Sequence, residues 1–207
     1  MAAYLDSLNS CSADPLLSAM EAEARATKVP IIHPDTLAFT GQLLRIARAK
    51  RILEIGGAIG YFAIAIAKAT GVCVTSLEID PKLAELARAN SHRSGLEGKI
   101  TIIEGDALKL DPETLGDCDA ILIDGAKGKY VDFFARYAPL LKPGGFIVSD
   151  NLLFRGQVAH PETILSRNRR QLIGKIQRFN EYLRARPDFA TRFYEIGDGV
   201  AVSIKTR

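Results

Sequence analysis

The sequence predicts an α/β fold: a doubly wound, mostly parallel sheet that ends in an antiparallel hairpin. Three observations carry this. Short apolar segments alternate with helical stretches from residue 50 onward. The segments ILEI, AILI and FIVS are apolar on both faces, as in a sheet buried between helix layers. The last two segments, FATRFYEI and GVAVSIK, are joined by Gly197-Asp198-Gly199, a hairpin-type turn.

The elements follow in order. Helical stretches at about 14–27 and 35–49 come first, separated by KVPIIHP, where Pro30 and Pro34 mark the break. Then come strand 51–55, helix 60–69, strand 73–78, helix 81–93, strands 100–104 and 119–123, helix 129–141 and strand 145–149. Pro81 stands at a helix start, where its missing N–H costs nothing. Lys142-Pro143-Gly144-Gly145 is read as the stop after helix 129–141. A long helix, about 163–185, precedes the hairpin. The 207 residues are expected to form one domain, with residues 1–49 as N-terminal helices and residues 50–207 as the Rossmann-like core.

Composition narrows the class. No apolar segment approaches the roughly 18 residues of a membrane span. MAAYLDSLNS lacks the basic and apolar pattern of a signal peptide, so a cytoplasmic location is expected. Cys11, Cys73 and Cys118 are scattered, which suits a reducing compartment and offers no zinc spacing. His33, His92 and His160 are equally isolated and are read as structural or surface residues.

The segment RILEIGGAIGYFA is the most informative. A strand ends in Gly56-Gly57 and a helix opens near Gly60, which together make a cradle for a nucleotide-type cofactor. A dinucleotide fingerprint starting at Gly56 needs glycine at 58 and 61, where Ala58 and Tyr61 stand. The pattern beginning at Glu54, E-x-G-x-x-x-G, therefore favours S-adenosylmethionine (SAM), which has no phosphate. An NAD-linked oxidoreductase is the other nucleotide-type reading. Glu78, at the tip of the second strand, stands where such folds hold ribose hydroxyls. Asp106 and Ala107, after the third strand, face the adenine end, with a plain turn as the rival reading.

The fourth strand ends on Asp124 and the fifth on Asp150-Asn151. Singly, such residues cap turns. Together, on two strands of one sheet, their oxygen donors match what Mg²⁺ or a similar ion requires. Lys127 follows Asp124 by three residues at a helix entrance, where the helix dipole disfavours a cation. A nearby divalent cation lowers a lysine's pKa and suits it to act as a base.

The ordered set EIGGAIGYF, Glu78, GDA, D-x-x-K-x-x-Y (Asp124, Lys127, Tyr130), Asp150-Asn151 and GDGVAVS resembles the cation-dependent O-methyltransferases. These are the catechol and caffeoyl-CoA O-methyltransferase family, and the resemblance covers nearly the whole chain. It implies the seven-stranded sheet of class I SAM-dependent methyltransferases. It implies that Asp124, Asp150 and Asn151 hold Mg²⁺ or Mn²⁺ and that Lys127 is the general base. Ile31 matches a stretch that touches SAM in relatives. Two positions depart from the family pattern. Phe62 replaces a Ser or Thr, so the methionine carboxylate would rely on backbone N–H groups such as its own. Arg192 stands where the catechol enzyme has a substrate-touching Glu.

The charge is uneven. Residues 1–150 carry 16 Lys+Arg against 19 Asp+Glu, a net of −3, whereas residues 151–192 carry nine against three, a net of +6. Such a block is either a footprint for a polyanion or a solvated helix face. Within the family, KVPII, NLLFRG and RFNEYL look most like the bacterial tRNA 5-hydroxyuridine methyltransferases. That resemblance implies a tRNA partner, with Arg155, Arg167, Arg169, Arg170 and Arg192 as candidate RNA contacts. A small hydroxylated aromatic is the alternative acceptor. A homodimer is expected because relatives are commonly dimers.

Overall fold

The computed structural model describes residue 8 and residues 14–206, so Cys11 lies outside the described residues. Two capped helices lead in. In α1 (Pro15–Thr27), Asp14 Oδ1 accepts from the N–H groups of Leu16 and Leu17, with Pro15 as the first helical residue. In α2 (Pro34–Ile46), His33 Nδ1 accepts from the Asp35 N–H, so this histidine is structural. His92 and His160 sit on the surface beside Glu97 and Glu162.

Seven strands follow: β1 (Arg51–Ile55), β2 (Cys73–Glu78), β3 (Ile100–Glu104), β4 (Cys118–Ile123), β5 (Leu141–Ser149), β6 (Phe189–Tyr194) and β7 (Val200–Lys205). Their order is β3-β2-β1-β4-β5-β7-β6. The first five are parallel, and β7 pairs antiparallel with both β5 and β6. The intervening helices are α3 (Tyr61–Thr70), α4 (Pro81–Ser94), α5 (Tyr130–Tyr137) and α6 (Arg167–Ala185). Among the described residues no helix is long and apolar enough to cross a membrane.

Period-two alternation sorts the strands into two cores. Leu53, Ile55, Ile121, Ile123 and Ile147 face a core built with α5 and α6, around Phe134, Ile176 and Phe179. Ile52, Ala120, Leu122, Phe146 and Val148 face a core built with α1, α2 and α3, around Met20, Leu44 and Ile64. Glu54 belongs by register to this second, apolar face.

Several boundaries differ from the sequence expectation: helix 35–49 ends at Ile46, and helix 129–141 is α-helical only over Tyr130–Tyr137, followed by a 3-10 turn at Ala138–Leu140. The strand expected at 145–149 starts at Leu141, because Leu141 pairs with Cys118 ahead of an irregularity and the Pro143-Gly144-Gly145 stretch stays within the strand. The helix expected from 163 starts at Arg167. A short 3-10 turn, Pro161–Thr163, comes first, and Ser166 is the N-cap.

Neighbours β2 and β4 leave β1 in opposite directions, so the crevice of this sheet lies at the carboxyl ends of β1 and β4. There the backbones nearly touch. Gly56 has φ +99°, and a Cβ on it would lie 2.7 Å from the Asp124 carbonyl oxygen. Gly56→Ala therefore combines left-handed strain with a backbone clash. We expect it to destabilise the fold by roughly 2–4 kcal/mol. A thermal melt that matches the parent protein would refute the close approach.

Candidate active site

The crevice opens into a cavity of about 780 Å³, within the range of small-molecule sites. Its floor is the glycine turn. Glu78 organises this turn: its Oε2 accepts from the Ala58 N–H at 2.7 Å and its Oε1 from the Asp80 N–H at 2.8 Å. Each oxygen keeps a further lone pair, and Glu78 lines the cavity. Helix α3 begins at Tyr61 with no side-chain cap, so its first N–H groups are left for a ligand or water. Asp106 lines the cavity while its Oδ1 accepts from the Leu108 N–H at 2.9 Å. It is thus both a turn residue and a wall residue. Leu83, Leu108 and Phe133 supply apolar wall.

Ile31, Gly56, Glu78, Asp106, Ala107, Asp124, Lys127, Asn151, Arg155 and Arg169 all line this one cavity. Glu54, Gly60, Phe62 and Asp150 do not reach its surface. Gly60 is the N-cap of α3 at φ +80°, and Phe62 is buried in its first turn. Arg167, Arg170 and Arg192 lie outside the cavity. Arg192 sits on edge strand β6, with β7 between it and β5.

Glu54 lies behind the glycine turn, 2% exposed, opposite Ser76 in register. Its Oε2 and the Ser76 Oγ are buried without hydrogen-bond partners. Burial pushes the Glu54 carboxyl up to about 8, and the Asp124 and Glu78 charges add to the rise. The folded value lies above the unfolded one. The stabilisation is therefore complete below about pH 4.5 and is lost as pH rises through about 8. Glu54→Gln removes this dependence. In metal-free protein we expect the stability lost between pH 5 and pH 8.5 to shrink by roughly 3–5 kcal/mol. Identical pH curves for the two proteins would contradict it.

The opposite end of the cavity gathers the charged strand tips. Asp150 is fully buried. Its Oδ1 accepts from the Asn151 N–H at 2.7 Å and from Thr36 Oγ1 at 3.4 Å, whereas its Oδ2 is buried without a partner. The Tyr130 hydroxyl donates to the Asp150 carbonyl at 3.1 Å. Asn151 is turned into the cavity wall by a left-handed backbone, φ +60°. Lys127 Nζ lies 3.8 Å from Asp124 Oδ1. Burial pushes the Asp124 carboxyl up to about 7; Lys127 opposes the shift and Asp150 adds to it. Burial also raises the Asp150 carboxyl, against the Asn151 N–H and Lys127.

An unpartnered buried carboxylate oxygen near a second, half-buried carboxylate is a site short of positive charge. A divalent ion fits that deficit. Among the described residues no three His, Cys, Asp or Glu side chains cluster as metal ligands, so the set needs Asn151 as its third protein donor. Asp198 completes the surroundings. It lines the cavity, and its Oδ1 accepts from the Arg155 N–H at 2.5 Å. Asp198 and Thr36 carried no role in the sequence reading; the Gly-Asp-Gly turn was the only signal for Asp198.

Comparison with known proteins agrees with this geometry. A family model described as O-methyltransferase matches residues 9–206. A catechol O-methyltransferase of Niastella koreensis is 35% identical over 163 residues, covering 75% of this chain and 73% of its own. A solved chain from Staphylococcus aureus superposes with a TM-score of 0.92 at 36% identity, covering 98% of this chain and 97% of that one. An O-methyltransferase of Bacillus cereus, solved in complex with S-adenosylhomocysteine (SAH), superposes with a TM-score of 0.82 at 26% identity, covering 96% and 94%. The match along nearly the whole chain, over a fold whose strand tips converge on one cavity, shows that this chain belongs to the O-methyltransferase family.

Proposed function

We propose that the protein transfers the methyl group of SAM to a hydroxyl of a small catechol-type aromatic, with Mg²⁺ or Mn²⁺ at Asp124, Asp150 and Asn151. The observation that carries this is the convergence, at one end of the cavity, of the half-buried Asp124 carboxylate, Lys127 and the buried Asp150, one of whose oxygens is unpartnered. The Niastella and Bacillus relatives support the chemistry and the cofactor. When bound, SAM supplies an electrophilic methyl, and the divalent ion supplies Lewis acidity that favours an acceptor oxyanion.

The chain's own residues do the rest. Glu78 would receive the ribose hydroxyls, and Asp106 with the Ala107 N–H the adenine. The uncapped start of α3, including the Phe62 N–H, would take the methionine carboxylate. Asp124, Asp150 and Asn151 would hold the ion at the acceptor end. Lys127 Nζ takes the hydroxyl proton. Phe133 and Leu108 exclude water, and positioning supplies much of the rate.

A second reading is methylation of 5-hydroxyuridine in a tRNA anticodon loop. It is favoured by Arg155 and Arg169, which stand on the cavity wall. Two other bases of the block are turned elsewhere. Arg186 is engaged by Asp188 and lies over the Phe134, Tyr182 and Phe189 rings. Arg192 is on the far edge strand. Labelled SAM, offered with a catechol panel and with tRNA carrying 5-hydroxyuridine, separates the two. Label in catechols is the expected result. Label in tRNA alone would establish the second reading.

A further inference from the structure

Two exposed arginines on the cavity wall, Arg155 and Arg169, have no ion-pair partner among the described residues. Four cations line the cavity: Lys127, Lys129, Arg155 and Arg169. Lys127 pairs with Asp124, and Lys129 Nζ lies 3.7 Å from Asp132. Among the described residues, neither Arg155 nor Arg169 forms an ion pair.

Both arginines are held in unfavourable settings. Arg155 has φ +55° and follows Phe154 at φ +46°. Left-handed backbone at two successive non-glycine residues is strained, and the Asp198 carboxylate secures it through the Arg155 N–H. Arg169 lies in the first turn of α6 with Arg167 and Arg170 and no acid, where the helix dipole opposes cations. An anion beside Arg169 would relieve that opposition. Arg169 and Gln157 also wall a second cavity of about 430 Å³, next to Leu165. Arg169 therefore stands at the junction of the two cavities.

Resting on the catechol-type reading above, we propose that the acceptor is an anion. It is a hydroxylated ring whose carboxylate or phosphate binds Arg155 and Arg169, with the charged arm directed to the junction of the two cavities. A guanidinium's planar fork suits either group. Only two of the nine bases of residues 151–192 reach the cavity, which matches a single small anion better than a phosphodiester chain.

The test is calorimetric, on protein saturated with SAH and Mg²⁺, with catechol, 3,4-dihydroxybenzoate and 3,4-dihydroxyphenyl phosphate as probes. The anionic probes should bind at least about tenfold more tightly than catechol. That preference should fall about tenfold in Arg169→Ala and in Arg155→Ala, and Arg169→Lys should recover part of it. The carboxylate and phosphate arms tell which anion is preferred. Equal affinity for neutral and anionic probes, or an unchanged preference in both alanine variants, overturns the proposal. If the anion preference holds while no phenol is methylated, the catechol-type reading fails and the anion site stands.

Discussion

Asp150→Ala is expected to lower kcat by about three orders of magnitude or more while leaving the metal-free fold at least as stable as the parent. The two halves have one cause. Asp150 is fully buried and one of its carboxylate oxygens has no partner. A buried carboxylate in that state costs stability, and removing it relieves the cost, offset in part by a small cavity. In the proposed site the same oxygen is a metal donor. Losing it removes several kcal/mol of charge stabilisation, and each ~1.4 kcal/mol is a factor of ten in rate. Steady-state kinetics with Mg²⁺ and thermal melts in chelator check both halves. A stable variant with near-parental kcat would mean that Asp150 is only a buried turn residue.

Lys127→Ala carries the second largest expected effect, a fall in kcat of about 10²–10⁴. Among the described residues, Lys127 is the amine on the cavity wall that pairs with Asp124, 3.8 Å away, whereas Lys129 pairs with Asp132. Removing it takes away the group assigned to the acceptor proton. KM for SAM should change little, because Lys127 faces the strand tips and not the glycine turn. Lys127→Arg, whose guanidinium keeps its proton, should not recover kcat. A raised KM with unaltered kcat would recast Lys127 as a binding residue.

Much of this architecture was legible from residues 51 to 150. Strand periodicity and turn residues gave the parallel strands, and the broken glycine spacing at Ala58 and Tyr61 turned the cofactor reading from NAD to SAM. The strand-end rule drew Asp124, Lys127 and Asn151 to one cavity, where the structure places them. What the sequence concealed depends on contacts between distant segments. Thr36 reaches Asp150 from 114 residues away, and Asp198 holds Arg155 from 43 residues away. No local pattern marks either pair. Glu54 looked like a cofactor contact because it opens the glycine motif. Its position in the strand instead points it into the α1–α3 core beside Ser76.

The basic block shows a different limit. A count of charges records how many bases a segment holds and not which way they face. Two of them, Arg155 and Arg169, line the cavity, and Arg186 is engaged by Asp188. The strand boundary at Leu141 escaped for a related reason. Pro143 and the two glycines after it read locally as a helix stop, whereas pairing with Cys118 draws the segment into the sheet.

The central claim is that methyl transfer depends on a divalent ion held by Asp124, Asp150 and Asn151. The most direct test is the initial rate of transfer from SAM to a catechol acceptor, first in excess chelator and then along a Mg²⁺ titration. Less than about 1% of the full rate is expected in chelator, with saturable recovery with Mg²⁺ that Asp150→Ala abolishes. A full rate in chelator would contradict it.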